Sequence, residues 1–258
     1  MTASFTSPRV HALRRLLGRR RDRHDAGRFV VEGPVLVAEA VRAGWSCVEQ
    51  FVPADCADAA ITGAGEVVEV APDVLGRLGS TQAPQPPVAV VEIPAVETVA
   101  VLGDAGFVVV VDRLADPGNL GTILRSVEAA GADAVVLTPG SVDPYNPKVV
   151  RASAGALFHV PVVDADLDTV AAAGLDLVGT SSHDRQDRSV TSYTEADLCG
   201  RIALVMGNEA AGLPDEWTAN VGPIGRWVTI PHRGRTESLN VAMATTVLAF
   251  EAARQRAG

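Results

Sequence analysis

The sequence predicts an α/β protein of two units, the second built on a mostly parallel sheet. Three observations lead there. Apolar runs recur at 108–111, 134–137, 160–163, 177–179, 202–206 and 227–230, with helical stretches between several of them. The runs are continuous rather than alternating, which is the pattern of strands buried on both faces. The 258 residues also suit two units, at roughly 100–200 residues per domain.

In the first unit, residues 9–20 read as a helix with Val10, Leu13, Leu16 and Leu17 on one face and Arg14, Arg15 and Arg19 away from it. Residues 29–31 form a short strand. Gly33 and Pro34 then open a helix to Ala43, because proline is tolerated in a first turn. Strands are expected at 48–52, 66–70 and 88–92, and a short helix at 72–78. The stretch 80–87, rich in proline and glutamine, reads as a loop. Residues 93–106 read as a connector, which puts the boundary near residue 100. The domains are then 1–100, with a basic N-terminal arm, and 101–258, which ends in a helix over 239–256.

The formal charge is −9, but it is unevenly spread. Residues 1–28 carry eight arginines against Asp22 and Asp25, a balance of +6, and the other 230 residues carry −15. The whole-chain value argues against a nucleic-acid partner; the basic arm, with Arg14, Arg15, Arg19, Arg20 and Arg21, argues for one. Cys47, Cys56 and Cys199 form no CxxC pair and fit buried thiols in a reducing compartment. No apolar run approaches the ~18 residues of a membrane span, and no apolar signal core follows the basic N-terminus. The expectation is a cytoplasmic protein without a membrane partner. Neither GxxxxGK[ST], GxGxxG nor HExxH is present, and the five histidines are scattered, so no metal is expected. The string RASAG at 151–155 lacks the first glycine of a nucleophile elbow.

Three segments carry the chemistry. NLGTILR (119–125) follows a valine strand and opens a helix; Asn119 suits an N-cap or a ligand contact, and Arg125 a solvated helix face or a binding site. MGNEAAGL (206–213) is a strand running into a glycine-bounded turn that holds one carboxylate, Glu209. IPHRGRTESLN (230–240) is a strand end, a polar loop with Arg233 and Arg235, and a helix start at Ser238. Ser238 suits an N-cap, and Ile230 and Leu239 suit core positions.

In order, spacing and strand–loop–helix context, these segments resemble the three motifs of the SpoU, or TrmH, family of RNA ribose 2′-O-methyltransferases, in the SPOUT class. The resemblance covers residues 107–254. The first unit, through FVVEG (29–33) and the helix after it, is similar to the L30e-like substrate-binding domain that precedes the catalytic domain in many members. The resemblance implies a parallel-sheet catalytic domain with a deep trefoil knot. It implies S-adenosyl-L-methionine bound by Gly207, Ile230 and Leu239, with Thr180 and Ser181 in the nearby loop that runs to Ser182. Asn119, Arg125, Glu209, Ser238 and Asn240 become the catalytic set. Arg125 is the family's proposed base; because guanidinium stays protonated, its expected role here is to hold a phosphate and orient the 2′-OH. Glu209 is expected to pair with an arginine.

A homodimer is implied too, with the apolar faces of the terminal helix and of residues 148–157 as candidate interfaces. The two-unit layout, similar to 23S rRNA methyltransferases including the thiostrepton-resistance group, points to ribosomal RNA, with Arg233 and Arg235 joining the arm in binding it. Two alternatives share these motifs: a transfer-RNA methyltransferase, and a noncatalytic RNA-binding ribosome-assembly factor.

Overall fold

The computed structural model describes residues 2–78, 85–181, 190–208, 211–214, 217 and 222–257. The chain divides into two compact units. One comprises Met1–Ala95 with Asp143–His159, the other Val96–Val142 with Val160–Gly258.

The first unit holds α1 (Pro8–Gly18), α2 (Arg20–Ala26), β1 (Arg28–Glu32), α3 (Pro34–Arg42), β2 (Cys47–Pro53), β3 (Glu66–Val70), α4 (Val74–Leu78) and β4 (Val88–Glu92). Its sheet runs β1-β4-β2-β3; β4 is antiparallel to both neighbours, and β2 and β3 are parallel. Val10, Leu13 and Leu16, at helical spacing, bury one face of α1 against Phe51, Val68, Val88 and Val90 of the sheet.

The basic segment is therefore folded into the unit rather than a detached arm. The single helix expected over 9–20 breaks at Arg19, whose backbone is extended (φ −116°, ψ 139°). The break turns Arg23 inward, to 2% exposure. Its Nε donates to Asp143 Oδ2 at 2.7 Å and one terminal nitrogen to the Leu16 carbonyl at 2.8 Å. The Tyr145 amide donates to the other Asp143 oxygen at 3.0 Å. A buried ion pair is tolerated when its remaining hydrogen-bonding groups are satisfied in this way.

Residues 143–159 complete this unit. After Val142 they form a short helix (Pro147–Ala152) with Asn146 as its cap. Tyr145 packs on Phe29 with ring centroids 4.9 Å apart, and the Trp45 indole donates to the Phe158 carbonyl at 3.1 Å. Val149, Val150 and Leu157 are at most 2% exposed. The apolar face of 148–157, expected as a candidate interface, is thus core of its own chain. Ser153 is fully buried, with its hydroxyl on the Val150 carbonyl at 2.8 Å, as in a helix rather than an exposed elbow.

The second unit holds α5 (Thr98–Asp104), β5 (Phe107–Val111), α6 (Pro117–Ala129), β6 (Ala134–Leu137), then, with the helix over 147–152 taken as α7, β7 (Val162–Asp164), α8 (Leu167–Ala172), β8 (Asp176–Thr180), β9 (Val190–Ser192), β10 (Ile202–Met206), β11 (Arg226–Thr229) and α9 (Val241–Arg256). The sheet order is β7-β6-β5-β10-β8-β11-β9, and each described pairing is parallel. Every residue of β5 and β10 is buried, as their continuous apolar runs require. The expected connector 93–106 contains α5, whose Leu102 belongs to this unit's core with Val108, Val110, Val136 and Val205. Among the described residues, no helix is long and apolar enough to cross a membrane.

Candidate functional site

In a parallel sheet the C-terminal ends of the strands share one edge, and loops leaving that edge can meet. Here β5 and β10 are neighbours, with Val111 opposite Met206, and β8 lies between β10 and β11, with Thr180 opposite Val228. The strands that lead into all three motif segments therefore end on one edge. Hydrogen bonds knit it: Asp112 N to the Met206 carbonyl at 2.9 Å, Ser181 N to the Val228 carbonyl at 3.0 Å, and Thr180 Oγ1 to the Val205 carbonyl at 3.0 Å. Thr180, Ser181, Gly207 and Ile230 are each half-buried along it.

The turn after β10 closes tightly. Asn208 and Gly212 exchange backbone hydrogen bonds at 3.2 and 2.9 Å, and Gly212 has φ +65°. A Cβ at Gly207 would lie 2.8 Å from the Gly212 carbonyl carbon and 2.9 Å from the Leu213 nitrogen. Only glycine fits where this backbone folds back on itself. Asn208 Oδ1 accepts from Ala211 N at 3.1 Å, and its Nδ2 donates to the Arg113 carbonyl at 2.8 Å, tying the second motif to the start of the first. Glu209 lies outside the described residues.

Asp112 follows β5 and is 1% exposed. Its Oδ1 accepts from Thr138 Oγ1 at 2.7 Å and its Oδ2 from Arg113 Nε at 2.8 Å. Arg113 has φ +44°, a left-handed conformation that costs a non-glycine residue on the order of 1 kcal/mol or more. The Thr138 hydroxyl, 2.9 Å from Arg113 N, and the Asn208 amide hold it there. Sequence reasoning assigned Asp112, Arg113 and Thr138 no role. The available signal was a carboxylate directly after an all-apolar strand.

The start of α6 is capped by Asp116, which accepts from Asn119 N at 2.8 Å, so Asn119 is in the first turn and is not the cap. At the other helix, Ser238 does not start α9. Asn240 does: its Oδ1 accepts from Ala242 N at 2.9 Å and Met243 N at 3.3 Å. Asn240 Nδ2 donates to Asn119 Oδ1 at 3.1 Å, joining the first and third motifs. Further along, the Ser126 and Thr246 hydroxyls meet at 2.7 Å.

Arg125 stands eight residues after Pro117, just over two turns into α6, and is exposed. It makes no hydrogen bond or ion pair with a described residue. Ser238 and Leu239 lie in the exposed stretch 233–240 with Arg233 and Arg235. Thr236 Oγ1 donates to the Ser238 carbonyl at 2.9 Å. In the first unit, Arg14, Arg15, Arg19, Arg20 and Arg21 are all exposed. Arg21 pairs with Asp25 at 3.3 Å, and the Arg14 guanidinium lies 5.9 Å from the Phe5 ring centroid. Among the described residues, no group of three or more His, Cys, Asp or Glu is placed to hold a metal ion.

Residues 106–250 match the SpoU rRNA Methylase family, and residues 7–89 match the MRM3-like substrate binding domain. The chain is 35% identical over 259 residues to the 23S rRNA (uridine(2479)-2′-O)-methyltransferase of Streptomyces viridochromogenes, covering 93% of this chain and 88% of that protein. It is 32% identical over 236 residues to the 23S rRNA (guanosine(2553)-2′-O)-methyltransferase RlmP of Bacillus subtilis, covering 90% of each. Among solved structures, the SpoU methyltransferase AviRb from Streptomyces viridochromogenes, in complex with AdoMet, aligns with a TM-score of 0.84 and 33% identity over 98% of this chain and 99% of that one. The family match spans more than half of the chain and all three segments that the sheet brings to one edge, so this chain belongs to the SpoU rRNA methylase family.

Proposed function

We propose that this protein transfers the methyl group of S-adenosylmethionine to a ribose 2′-OH of 23S ribosomal RNA. One observation carries the reading: in a chain of this family, the three motif segments leave one sheet edge and the Asn240–Asn119 bond links the last to the first. The residues at that edge suit the cofactor. It has no phosphates to cradle, so a basic glycine-rich loop is unnecessary. The closed Gly207 turn presents backbone rather than side chain, Thr180 and Ser181 offer polar groups, and Ile230 is half-buried. Leu239, between Ser238 and Asn240, is 37% exposed and offers an apolar wall. These five residues would hold the cofactor, which supplies an electrophilic methyl group on a sulfonium leaving group.

The remaining work falls to the chain's own side chains. A ribose hydroxyl is a weak nucleophile, so catalysis rests on its alignment, and its proton leaves to water as the O–CH3 bond forms and the S–CH3 bond breaks. Arg125, through its fork of N–H donors, grips the phosphate next to the target ribose and orients the 2′-OH. Asn119, held by Asn240, fixes the ribose, and Ser238 positions the strand from the exposed loop. The reading gives Glu209 the role of pairing with an arginine. Arg233, Arg235 and the exposed arginines of α1 and α2 supply phosphate contacts.

The same reading includes an L30e-like first domain, for which the four-stranded β1-β4-β2-β3 sheet and the 7–89 match are the support. It includes the knotted form of the second domain, supported by the return of the chain after β11 to α6, with Asn240 on Asn119 and Thr246 on Ser126. It also includes a cytoplasmic homodimer.

The test is transfer of labelled methyl groups to ribosomal RNA, followed by mapping the 2′-O-methyl stop. One stop in 23S rRNA, absent with Arg125→Ala, is expected. Transfer to tRNA instead overturns the substrate, and cofactor binding without any transfer overturns the reaction.

A further inference from the structure

We propose that Arg113 binds a phosphate of the RNA strand that carries the target ribose, and so acts as a positioning residue for substrate; this rests on the methyltransferase reading above. A half-exposed arginine one residue beyond a buried carboxylate reads at first as a counter-ion. Three observations carry it further.

The first is backbone geometry. Arg113 sits at φ +44°, where glycine is at home, yet the chain places its longest cationic side chain there. Both backbone polar groups are anchored, the N–H to Thr138 Oγ1 at 2.9 Å and the carbonyl to Asn208 Nδ2 at 2.8 Å. The side chain therefore leaves a backbone fixed from two neighbouring loops.

The second is the guanidinium itself. Nε donates to Asp112 Oδ2 at 2.8 Å, and Asp112 is held by Thr138 on its other oxygen at 2.7 Å. The Asp112 side chain is 2% exposed while that of Arg113 is 45% exposed. A guanidinium pinned through Nε keeps its two terminal nitrogens as a fork. Among the described residues that fork has no partner. A pre-oriented pair of N–H donors matches a phosphate's two oxygens.

The third is location. Arg113 follows β5 at the sheet edge where the first and second motifs meet, and α6 begins four residues later. Outside residues 1–28 the chain carries −15, so a cation fixed at this edge opposes the prevailing field where a polyanion has to approach.

The experiment compares Arg113→Gly, Arg113→Lys and the double variant Asp112→Asn/Arg113→Gly in the full-length protein. Glycine accepts the φ angle, and the double variant avoids leaving Asp112 as an unpaired buried charge. Each is measured for cofactor Kd by calorimetry, for RNA KM and kcat, and for the salt dependence of RNA binding. Both glycine variants should raise the RNA KM about tenfold, with kcat and cofactor Kd changed less than about threefold. The slope of log K against log salt should shrink by about 0.7–0.9, one phosphate contact. Lysine should restore the slope and only part of the KM, because it keeps the charge and loses the fork.

An unchanged KM and slope in the glycine variants overturns the proposal, even if they melt at lower temperature. A raised cofactor Kd with an unchanged slope also overturns it, assigning Arg113 to the cofactor's carboxylate. If the wild-type protein methylates no RNA, the functional reading fails instead; the slope from direct RNA binding then decides Arg113 separately.

Discussion

The Asn240 side-chain amide donates to Asn119 Oδ1 at 3.1 Å, across 121 residues of sequence. The orientation of the Asn240 amide follows from its other duty. Its oxygen accepts from the N–H groups of the second and third residues of α9, so its nitrogen is the end left to face α6. One residue thus starts the terminal helix and fixes a residue of the first motif.

These two duties separate by substitution. Asn240→Ser keeps a good cap and loses the amide donor, so stability should stay within about 0.5 kcal/mol of wild type. Methylation should fall roughly 10- to 100-fold, the cost of a small misplacement at a reacting centre. Asn240→Ala should add about 1 kcal/mol of destabilisation from the lost cap. In a double-mutant cycle with Asn119→Ala, additive losses of activity would show that the bond has no part in the reaction.

Gly207→Ala forces a Cβ to within 2.8 Å of backbone at Gly212, and backbone has no rotamer through which to escape. Overpacking of this kind costs about 1–3 kcal/mol. If the turn forms the cofactor surface, the cofactor Kd should rise roughly 5- to 150-fold. Calorimetry reads this directly, and an unchanged Kd would move the cofactor away from the turn.

What was legible beforehand follows from local chemistry. The valine run of β5, the proline starts of α3 and α6, and the glycine-bounded turn after β10 are each written within a few residues. The remainder depends on partners distant in sequence. Ser238 and Asn240 are both good caps, and the choice between them comes from where α9 meets Asn119. Arg19 breaks a helix that its own residue type favours, because Arg23 has Asp143 to reach. Arg113 adopts a glycine conformation under the hold of Thr138 and Asn208. β9 has only three residues, too few for a periodicity.

The exposed arginines of α1, of α2 and of the break between them should act through charge alone. Replacing Arg14, Arg15, Arg19, Arg20 and Arg21 by glutamine leaves the buried face of α1 intact and should shift stability little. The slope of log K against log salt for RNA should shrink by at least about 1. Arg23→Gln is the contrast: it strands Asp143 as a buried charge and should cost about 3–5 kcal/mol in a denaturant melt. Unchanged RNA affinity in the five-residue variant would return those arginines to solvent-facing residues.

Glu251 on α9 gives a pH-dependent contribution to stability. Hydrogen bonds from Arg254, then from Gln255, lower its pKa from 4.5 to about 2. A carboxylate with a lowered folded-state pKa stabilises the fold above its unfolded value and loses that contribution as pH falls through the folded one. The effect should therefore be full above about pH 4.5 and decline toward pH 2, moderated by the solvent exposure of Arg254. Glu251→Gln should flatten this part of the stability–pH curve. An identical acid limb in wild type and variant would mean that the Arg254 pairing persists in the unfolded chain or does not form.

The outer face of α9 bears on the proposed dimer. Met243, Val247 and Phe250 recur at three- and four-residue spacing and are 64, 36 and 49% exposed, while Val241, Thr245, Leu248 and Ala252 are buried. The helix is thus apolar on both sides, and an exposed apolar stripe of this kind marks an association surface. Light scattering at micromolar concentration should give twice the chain mass. Met243→Glu or Phe250→Glu should give a monomer that keeps its helix content, because both side chains face away from the core. If the site needs residues from both subunits, methylation should fall with the dimer while the folded monomer remains. A wild-type monomer at that concentration would remove the dimer from the functional reading, and a charged variant that stays dimeric would move the interface away from α9.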